Sequence, residues 1–156
     1  MTNIKIGFTG TSSGMTDSQK GRLYDLIIRN EPAEFHLGDC VGSDAEAFDM
    51  IDDLDPYGDW CTVIGHPPED PKARAFCEYD VTREPKPFIA RDHDIVDETD
   101  LLIATPKSDI HKICRDGTCA TVRYAKSKQK PLVVIFPTGS MKKEFVAKLR
   151  QLSRVK

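Results

Sequence analysis

The strongest candidates for chemistry are Gly117 and Thr118, which open a helix-like segment after a loop. A glycine lets a ligand approach the backbone closely, and the first free N–H groups of a helix bind anions. A buried strand precedes the segment and ends in Thr105 and Pro106, and Thr121 lies one turn into the helix. The pattern predicts a phosphate site. The alternative is a helix capped by a threonine, with nothing bound.

A second phosphate candidate is the loop Gly10-Thr11-Ser12-Ser13, which follows the first apolar run, residues 4–8. Loops of glycine and small hydroxyl residues between a first strand and a first helix cradle phosphates in nucleotide-binding α/β folds. The loop has neither the dinucleotide fingerprint nor the lysine of a P-loop. A plain tight turn is therefore the alternative interpretation.

A third junction follows the second predicted strand and contains Gly38, Asp39, Gly42, Ser43 and Asp44. Ligands of open α/β sheets bind at the carboxyl ends of the strands. A carboxylate there could hold a ribose hydroxyl or serve as a general base. The alternative for Asp44 is an acid in the first helical turn that complements the helix dipole.

Two further candidates are His66, at the end of the third predicted strand, and Arg91, in a helix predicted over 87–96. His66 either faces the ligand or closes the turn. Arg91 could bind a phosphate or carboxylate bidentately, and its alternative is a surface ion pair with Asp94 or Glu98. The polar, proline-rich residues 69–87 are predicted to form a loop that covers part of the site.

Five short apolar strands alternating with helices predict an α/β fold, a Rossmann-like open parallel sheet with helices on both faces. The crevice should lie between the first and fourth predicted strands. The 156 residues suit a single domain over 1–156. A basic segment from Met141 onward is predicted to form a C-terminal helix with its apolar face on Phe145, Val146, Leu149 and Leu152.

Composition excludes several classes of protein. The net charge of −3 makes a nucleic-acid partner unexpected, and no apolar run is long enough to span a membrane. Five cysteines without regular spacing favour reduced thiols and a cytoplasmic location. His111, Cys114 and Cys119 lack a second ligand pair at zinc spacing, so we expect no metal, and no cofactor is indicated.

Several of these segments occur together in an order that resembles the SLOG superfamily. They are Gly7-Phe8-Thr9-Gly10-Thr11, the segment 37–44, Arg91 and Asp94 ahead of 100–104, and Gly117-Thr118 followed by Arg123-Tyr124-Ala125. This Rossmann-like superfamily includes the LOG-type phosphoribohydrolases, the DprA DNA-processing proteins and the YspA-like nucleotide-binding proteins. The small single-domain members common in phage and bacterial genomes are the most similar.

The resemblance implies a nucleotide or nucleotide-derived ligand and, as in much of the superfamily, a homo-oligomer. It places Arg91 at the spacing of the catalytic arginine of the LOG-type enzymes and Gly117-Thr118 at their phosphate-binding pair. The position of their catalytic glutamate holds Thr121, and the double glycine of their motif is missing.

Three functions are compatible with the sequence. The first is a sensor or sequestering protein for a nucleotide-derived ligand. The second is an N-glycosidase or deoxyribosyltransferase acting on nucleotides, with Arg91 and Asp39 as catalytic residues. The third, a DprA-like role on single-stranded DNA through the basic C-terminal segment, fits the acidic chain least.

Overall fold

The computed structural model describes residues 3–108 and 116–150. Strands and helices alternate through most of that range. The strands are β1 (Lys5–Gly10), β2 (Glu34–Leu37), β3 (Thr62–Gly65), β4 (Val81–Thr82), β5 (Leu101–Thr105), β6 (Leu132–Ile135) and β7 (Met141–Glu144). The helices are α1 (Asp17–Asn30), α2 (Ser43–Leu54), α3 (Phe88–Asp97) and α4 (Gly117–Ser127), with short 3₁₀ turns at Pro71–Ala73 and Val146–Lys148.

The strands form one sheet in the order β4-β3-β2-β1-β5-β6-β7, parallel except for the last pair. From β1 the chain moves outward through β2 and β3, then crosses over to β5 on the other side of β1. The order therefore reverses between β1 and β5, where open α/β sheets bind their ligands. The Rossmann-like prediction and the location of the crevice are confirmed. The predicted number of strands is too low by two, since the sheet has seven.

Helices cover both faces because the buried strands are apolar on both sides. Leu101 and Ile103 of β5 pack in a core cluster with residues of α1 and α2. Leu102 and Ala104, which alternate with them, pack in a second cluster with residues of α3 and α4. The alternation of side chains along β5 thus fixes which pair of helices lies on each face.

The predicted helix from Met141 is wrong, because those residues form the edge strand β7. A tight turn, in which Gly139 has φ +90°, returns the chain antiparallel to β6. Lys142 and Lys143 are exposed on this edge, where lysines discourage pairing with other chains. Val146–Lys148 forms only a 3₁₀ turn, and Leu152 lies outside the described residues. The DNA-binding hypothesis loses the helix on which it depended.

The second missed strand, β4, is a two-residue segment within 69–87 that pairs with β3. Both of its residues are exposed, so the period-2 apolar pattern that reveals a strand is absent there. The stretch 69–87 contributes no residue to the wall of the cavity described next.

The cysteines divide into two groups. Cys40, Cys61 and Cys77 are free thiols, as expected. Cys119 is disulfide-bonded, so the expectation of reduced thiols is wrong for that residue. His111 and Cys114 lie outside the described residues. Over 3–108 and 116–150, none of the helices has the length and apolar character that crossing a membrane requires.

Candidate functional site

A cavity of about 410 Å³ opens at the carboxyl edge of the sheet, beside the switch point between β1 and β5. The loops after β1 and β2, the helix α3 and the start of α4 form its wall. It is lined by Phe8, Thr9, Gly10, Thr11, Ser12, Ser13, Gly38, Cys40, Asp44, Phe88, Arg91, Asp92, Ile95, Lys107, Asp116, Gly117 and Thr118. The three predicted loops therefore do converge on one space.

The loop after β1 is held in place by the start of α2. Ser43 donates from its backbone N–H (3.1 Å) and its hydroxyl (2.7 Å) to the carbonyl of Thr11. Gly42, with φ +90°, lies so close that an added Cβ would be 2.2 Å from the carbonyl oxygen of Ser12. Gly42 and Ser43 do not line the cavity, but they position Thr11, Ser12 and Ser13, which do.

Asp44 is a buried acid in the cavity wall. Its Oδ2 accepts a hydrogen bond from the backbone N–H of Cys40 at 3.1 Å. Its Oδ1 is buried and has no hydrogen-bond partner among the described residues. Burial raises the pKa of Asp44 to about 7, although the charge of Arg91 opposes the rise. Near neutral pH this carboxyl can therefore either donate or accept a hydrogen bond with a bound molecule.

Arg91, on α3, is buried and fixed by backbone groups. Its Nη1 donates to the carbonyls of Gly38 and His66, the latter at 3.3 Å. Its Nε lies 2.7 Å from Oδ1 of Asp92. An added Cβ on Gly38 would lie 2.2 Å from Nη1, so only glycine leaves room for this guanidinium. Arg91 thus supplies a positive charge whose position is set by the ends of β2 and β3.

The start of α4 differs in one respect from the predicted phosphate site. Its N-cap is Asp116, whose carboxylate accepts from the N–H of Cys119 at 2.9 Å. The other oxygen of Asp116 is buried without a described partner. This carboxylate takes one of the helix's free N–H groups and adds negative charge beside Gly117 and Thr118. Lys107 lines the same cavity and offsets part of that charge.

Asp39, predicted as a ligand-binding or catalytic acid, does not line the cavity. Its Oδ2 accepts from Nε of Arg74 (2.7 Å), and its Oδ1 accepts from the hydroxyl of Tyr79 (2.7 Å) and the N–H of Cys77 (3.3 Å). These three donors engage both oxygens. His66 also lies outside this cavity and lines a separate one.

Thr105, Pro106 and Thr121 are buried behind the cavity wall and do not line it. The carbonyl of Pro106 accepts from Nε2 of Gln19 at 2.7 Å. The hydroxyl of Thr121 donates to the carbonyl of Gly117 at 2.8 Å, within the first turn of α4. The hydroxyl of Thr105 is buried without a described partner. These residues support the loops that the ligand would meet.

Several lining residues escaped sequence reasoning: Phe8, Thr9, Cys40, Phe88, Asp92, Ile95, Lys107 and Asp116. Phe88 and Ile95 are seven positions apart on α3, a spacing that places both on one face. Asp116 stands directly before Gly117, where an N-cap acid is common. Those two signals could have been read from the sequence. Cys40 and Lys107 lie within the predicted loops 38–44 and 105–121, but nothing in the sequence distinguishes them from their neighbours as residues that line the site.

These features define an α/β protein with a Rossmann-like fold and, at its switch point, a cavity lined by both polar and apolar groups. The chain is similar to the molybdenum cofactor binding protein from the phototrophic bacterium Rippkaea orientalis, with a TM-score of 0.65 and 20% identity over 87% of this chain and 78% of that one. It is also similar to TM1055, a structural genomics target, with a TM-score of 0.57 and 15% identity over 95% of this chain and 81% of that one. At these identities the likeness shows the fold alone. No protein-family profile and no curated protein sequence matches the chain.

Proposed function

We propose that the chain binds a nucleotide or nucleotide-derived small molecule in the cavity beside β1 and β5, and acts as a sensor or sequestering protein. The observation that carries this proposal is the convergence of three strand-to-helix junctions on one cavity at the switch point. A volume of about 410 Å³ suits a small organic ligand. The resemblance to the SLOG superfamily supports the same class of ligand.

The charges around the cavity suggest how such a ligand would lie. Asp116 already occupies the start of α4, so we place the phosphate beside the hydroxyls of Ser12 and Ser13 and the ammonium of Lys107. Asp44 and Asp92 would then accept hydrogen bonds from ribose hydroxyls or amino groups of the base. The molybdenum cofactor binding protein among the structural neighbours adds that cofactor to the ligands worth testing.

Thermal unfolding of the chain with a ligand panel tests the proposal. The panel contains nucleoside mono-, di- and cyclic phosphates, ADP-ribose and molybdenum cofactor. A ligand at about 100 times its Kd should stabilise the native state by roughly 2.7 kcal/mol. Lys107→Glu should weaken that stabilisation, whereas Lys143→Glu, a charge reversal at another exposed lysine, on β7, should not. A panel that leaves the melting temperature unchanged would contradict the proposal.

Hydrolysis of an N-glycosidic bond is the second candidate, favoured by the state of Asp44. A buried carboxyl with a pKa of about 7 can protonate a leaving base while water adds to C1′ of the sugar. The alternative acid Asp39 is fully engaged elsewhere, and Thr121 stands where the LOG-type enzymes have their glutamate. Release of free base from nucleoside monophosphates, lost in Asp44→Asn and in Arg91→Ala, is the expected result. Intact substrate after long incubation would exclude this reaction.

A further inference from the structure

Two buried histidines lie in direct contact outside the cavity proposed for the ligand. His36 belongs to β2, and His66 directly follows β3, the strand next to it in the sheet. Nδ1 of His36 and Nε2 of His66 are 2.8 Å apart, and the rings are nearly stacked. Both side chains are almost fully buried. No part of the proposed ligand site uses this pair.

The nitrogens that point away from this contact face carboxylates. Nε2 of His36 is 2.8 Å from Oε1 of Glu34, and Nδ1 of His66 is 3.8 Å from Oε2 of Glu98. An ionised Glu34 can only accept, so Nε2 of His36 carries the proton and Nδ1 presents its lone pair to His66. The contact therefore needs an electron-poor centre between the rings, either one proton or a metal ion.

A charged proton-sharing pair is disfavoured in this environment. Both rings are buried, and a positive charge shared between them would be held away from water. Neutral imidazoles are the form that binds metals. If His66 is neutral and carries its proton on Nε2, it can donate to Nδ1 of His36. Its own Nδ1 then has no proton, and the lone pair on Nδ1 faces the negative carboxylate of Glu98.

We propose that His36, His66 and Glu98 bind one divalent transition-metal ion of the zinc or copper type. Ligand atoms of the three residues lie within 4.8 Å of one another. Bonds of ~2.0–2.2 Å at tetrahedral angles need ligand separations of roughly 3.3–3.6 Å. The rings would part by about half an ångström, and the carboxylate of Glu98 would move toward the ion. Glu98 is at the end of α3 and partly exposed, so its side chain can make that movement.

The surroundings supply an outer shell and a path for the ion. Glu34 orients His36 in the manner of the carboxylates that support metal-bound imidazoles. A cavity of about 340 Å³, lined in part by His66 and Glu98, leads to the site. Arg83 pairs with Oε1 of Glu98 at 2.7 Å, which leaves Oε2 for the metal. The positive charges of Arg83, Lys86 and Arg91 around this cavity oppose a cation, and the ionic partners of Arg83, Lys86 and Arg91 (Glu98, Asp94 and Asp92) offset part of that charge.

The sequence predicts no metal here because the two histidines are thirty positions apart and belong to no ligand motif. Only the pairing of β2 with β3 brings them together. A hydrogen-bonded histidine pair without any ion is the structural alternative, and the experiment must distinguish the two.

Zinc titration of the chelator-treated chain by calorimetry, together with the visible spectrum of its Co²⁺ form, tests the proposal. One equivalent of Zn²⁺ should bind, and His36→Gln, His66→Gln and Glu98→Gln should each lower the affinity at least about ten-fold. Glu98→Gln changes a partly exposed side chain and should fold normally. His93→Gln, which removes a histidine stacked on Tyr124, should bind like the parent chain.

Three results would overturn the proposal. They are failure of the parent chain to bind Zn²⁺, unchanged affinity in both His66→Gln and Glu98→Gln, and a thiolate-to-Co²⁺ charge-transfer band. The last would show that free cysteines hold the metal. None of these results bears on nucleotide binding, because His36, His66 and Glu98 do not line the cavity proposed for the nucleotide.

Discussion

Asp39 and Asp44 stand five positions apart at the same junction between β2 and α2, and both are buried. The two oxygens of Asp39 accept from Arg74, Tyr79 and the backbone of Cys77. Asp44 accepts a single backbone hydrogen bond, and its other oxygen has no partner among the described residues. Both oxygens of Asp39 therefore have hydrogen-bond donors within the protein, whereas one oxygen of Asp44 can still accept a hydrogen bond.

This difference distinguishes a carboxylate that stabilises the fold from one that is available to a ligand. The saturated Asp39 fixes the stretch 74–79 against the end of β2. A buried oxygen without a partner costs free energy, and such a cost is typical of a group that a ligand completes. Asp44 is in the cavity wall and Asp39 is not. The comparison therefore predicts opposite responses when each charge is removed.

Asp39→Asn should give the largest loss of stability. The amide keeps the size of the side chain and tolerates the left-handed backbone at this position, where φ is +54°. It cannot serve three donors as an anion does, and it leaves Arg74 without its counter-charge. Breaking a buried pair in this way costs about 3–5 kcal/mol. Urea unfolding followed by fluorescence of Trp60, the single tryptophan, measures the loss.

The matched control for Asp39→Asn is Asp53→Asn, an exposed acid on α2 that should change stability by less than about 0.5 kcal/mol. If Asp39→Asn were equally harmless, the three contacts would not hold 74–79 in place, and the contrast with Asp44 would fail.

Asp44→Asn should stabilise the chain at alkaline pH. The folded-state pKa of about 7 exceeds the unfolded value of 3.8, so the folded state binds more protons between these values. Stability contributed by this group is full below pH 4 and is lost as pH rises through 7. Above pH 8 the ionised carboxylate therefore costs about 2–4 kcal/mol, which asparagine avoids.

Urea unfolding of both chains at pH 5, 6, 7 and 8 checks this expectation. The buried His66 also makes stability pH-dependent, but it is present in both chains and its contribution cancels in the difference. The advantage of Asp44→Asn over the parent should grow from pH 5 to pH 8. A difference that stays constant across this range would mean that Asp44 does not titrate near neutrality.

The sequence predicts the parallel core because β5 and β6 are nearly continuous apolar runs and the other core strands are short and largely apolar. It predicts β2 at Glu34–Leu37 without error, and it brings Thr11, Asp44, Arg91 and Thr118 to one cavity. These successes depend on local patterns and on the rule that ligands bind where the strand order reverses.

The failures concern contacts between distant segments. Asp39 and Asp44 look equivalent in sequence, because the partners that distinguish them come from Arg74 and Tyr79, at least 35 positions later. The pairing of His36 with His66 likewise depends on strand order. The sequence predicts a helix where β7 lies, because the apolar residues that follow the lysines, Phe145, Val146 and Leu149, have helical spacing.

Tyr79→Phe should give the smallest of the three effects and refine the comparison. The ring packs edge-on against Phe48 and lies against Gly65, so phenylalanine retains its packing. The change removes the donor that reaches Oδ1 of Asp39 at 2.7 Å, leaving the N–H of Cys77 on that oxygen. A hydrogen bond to a charged group contributes about 1.5–3 kcal/mol. Tyr57→Phe, at an exposed tyrosine, is the control. If Tyr79→Phe lowers stability in the parent chain but not in the Asp39→Asn chain, the two residues act as one unit. Additive losses would show instead that Tyr79 and Asp39 are not coupled.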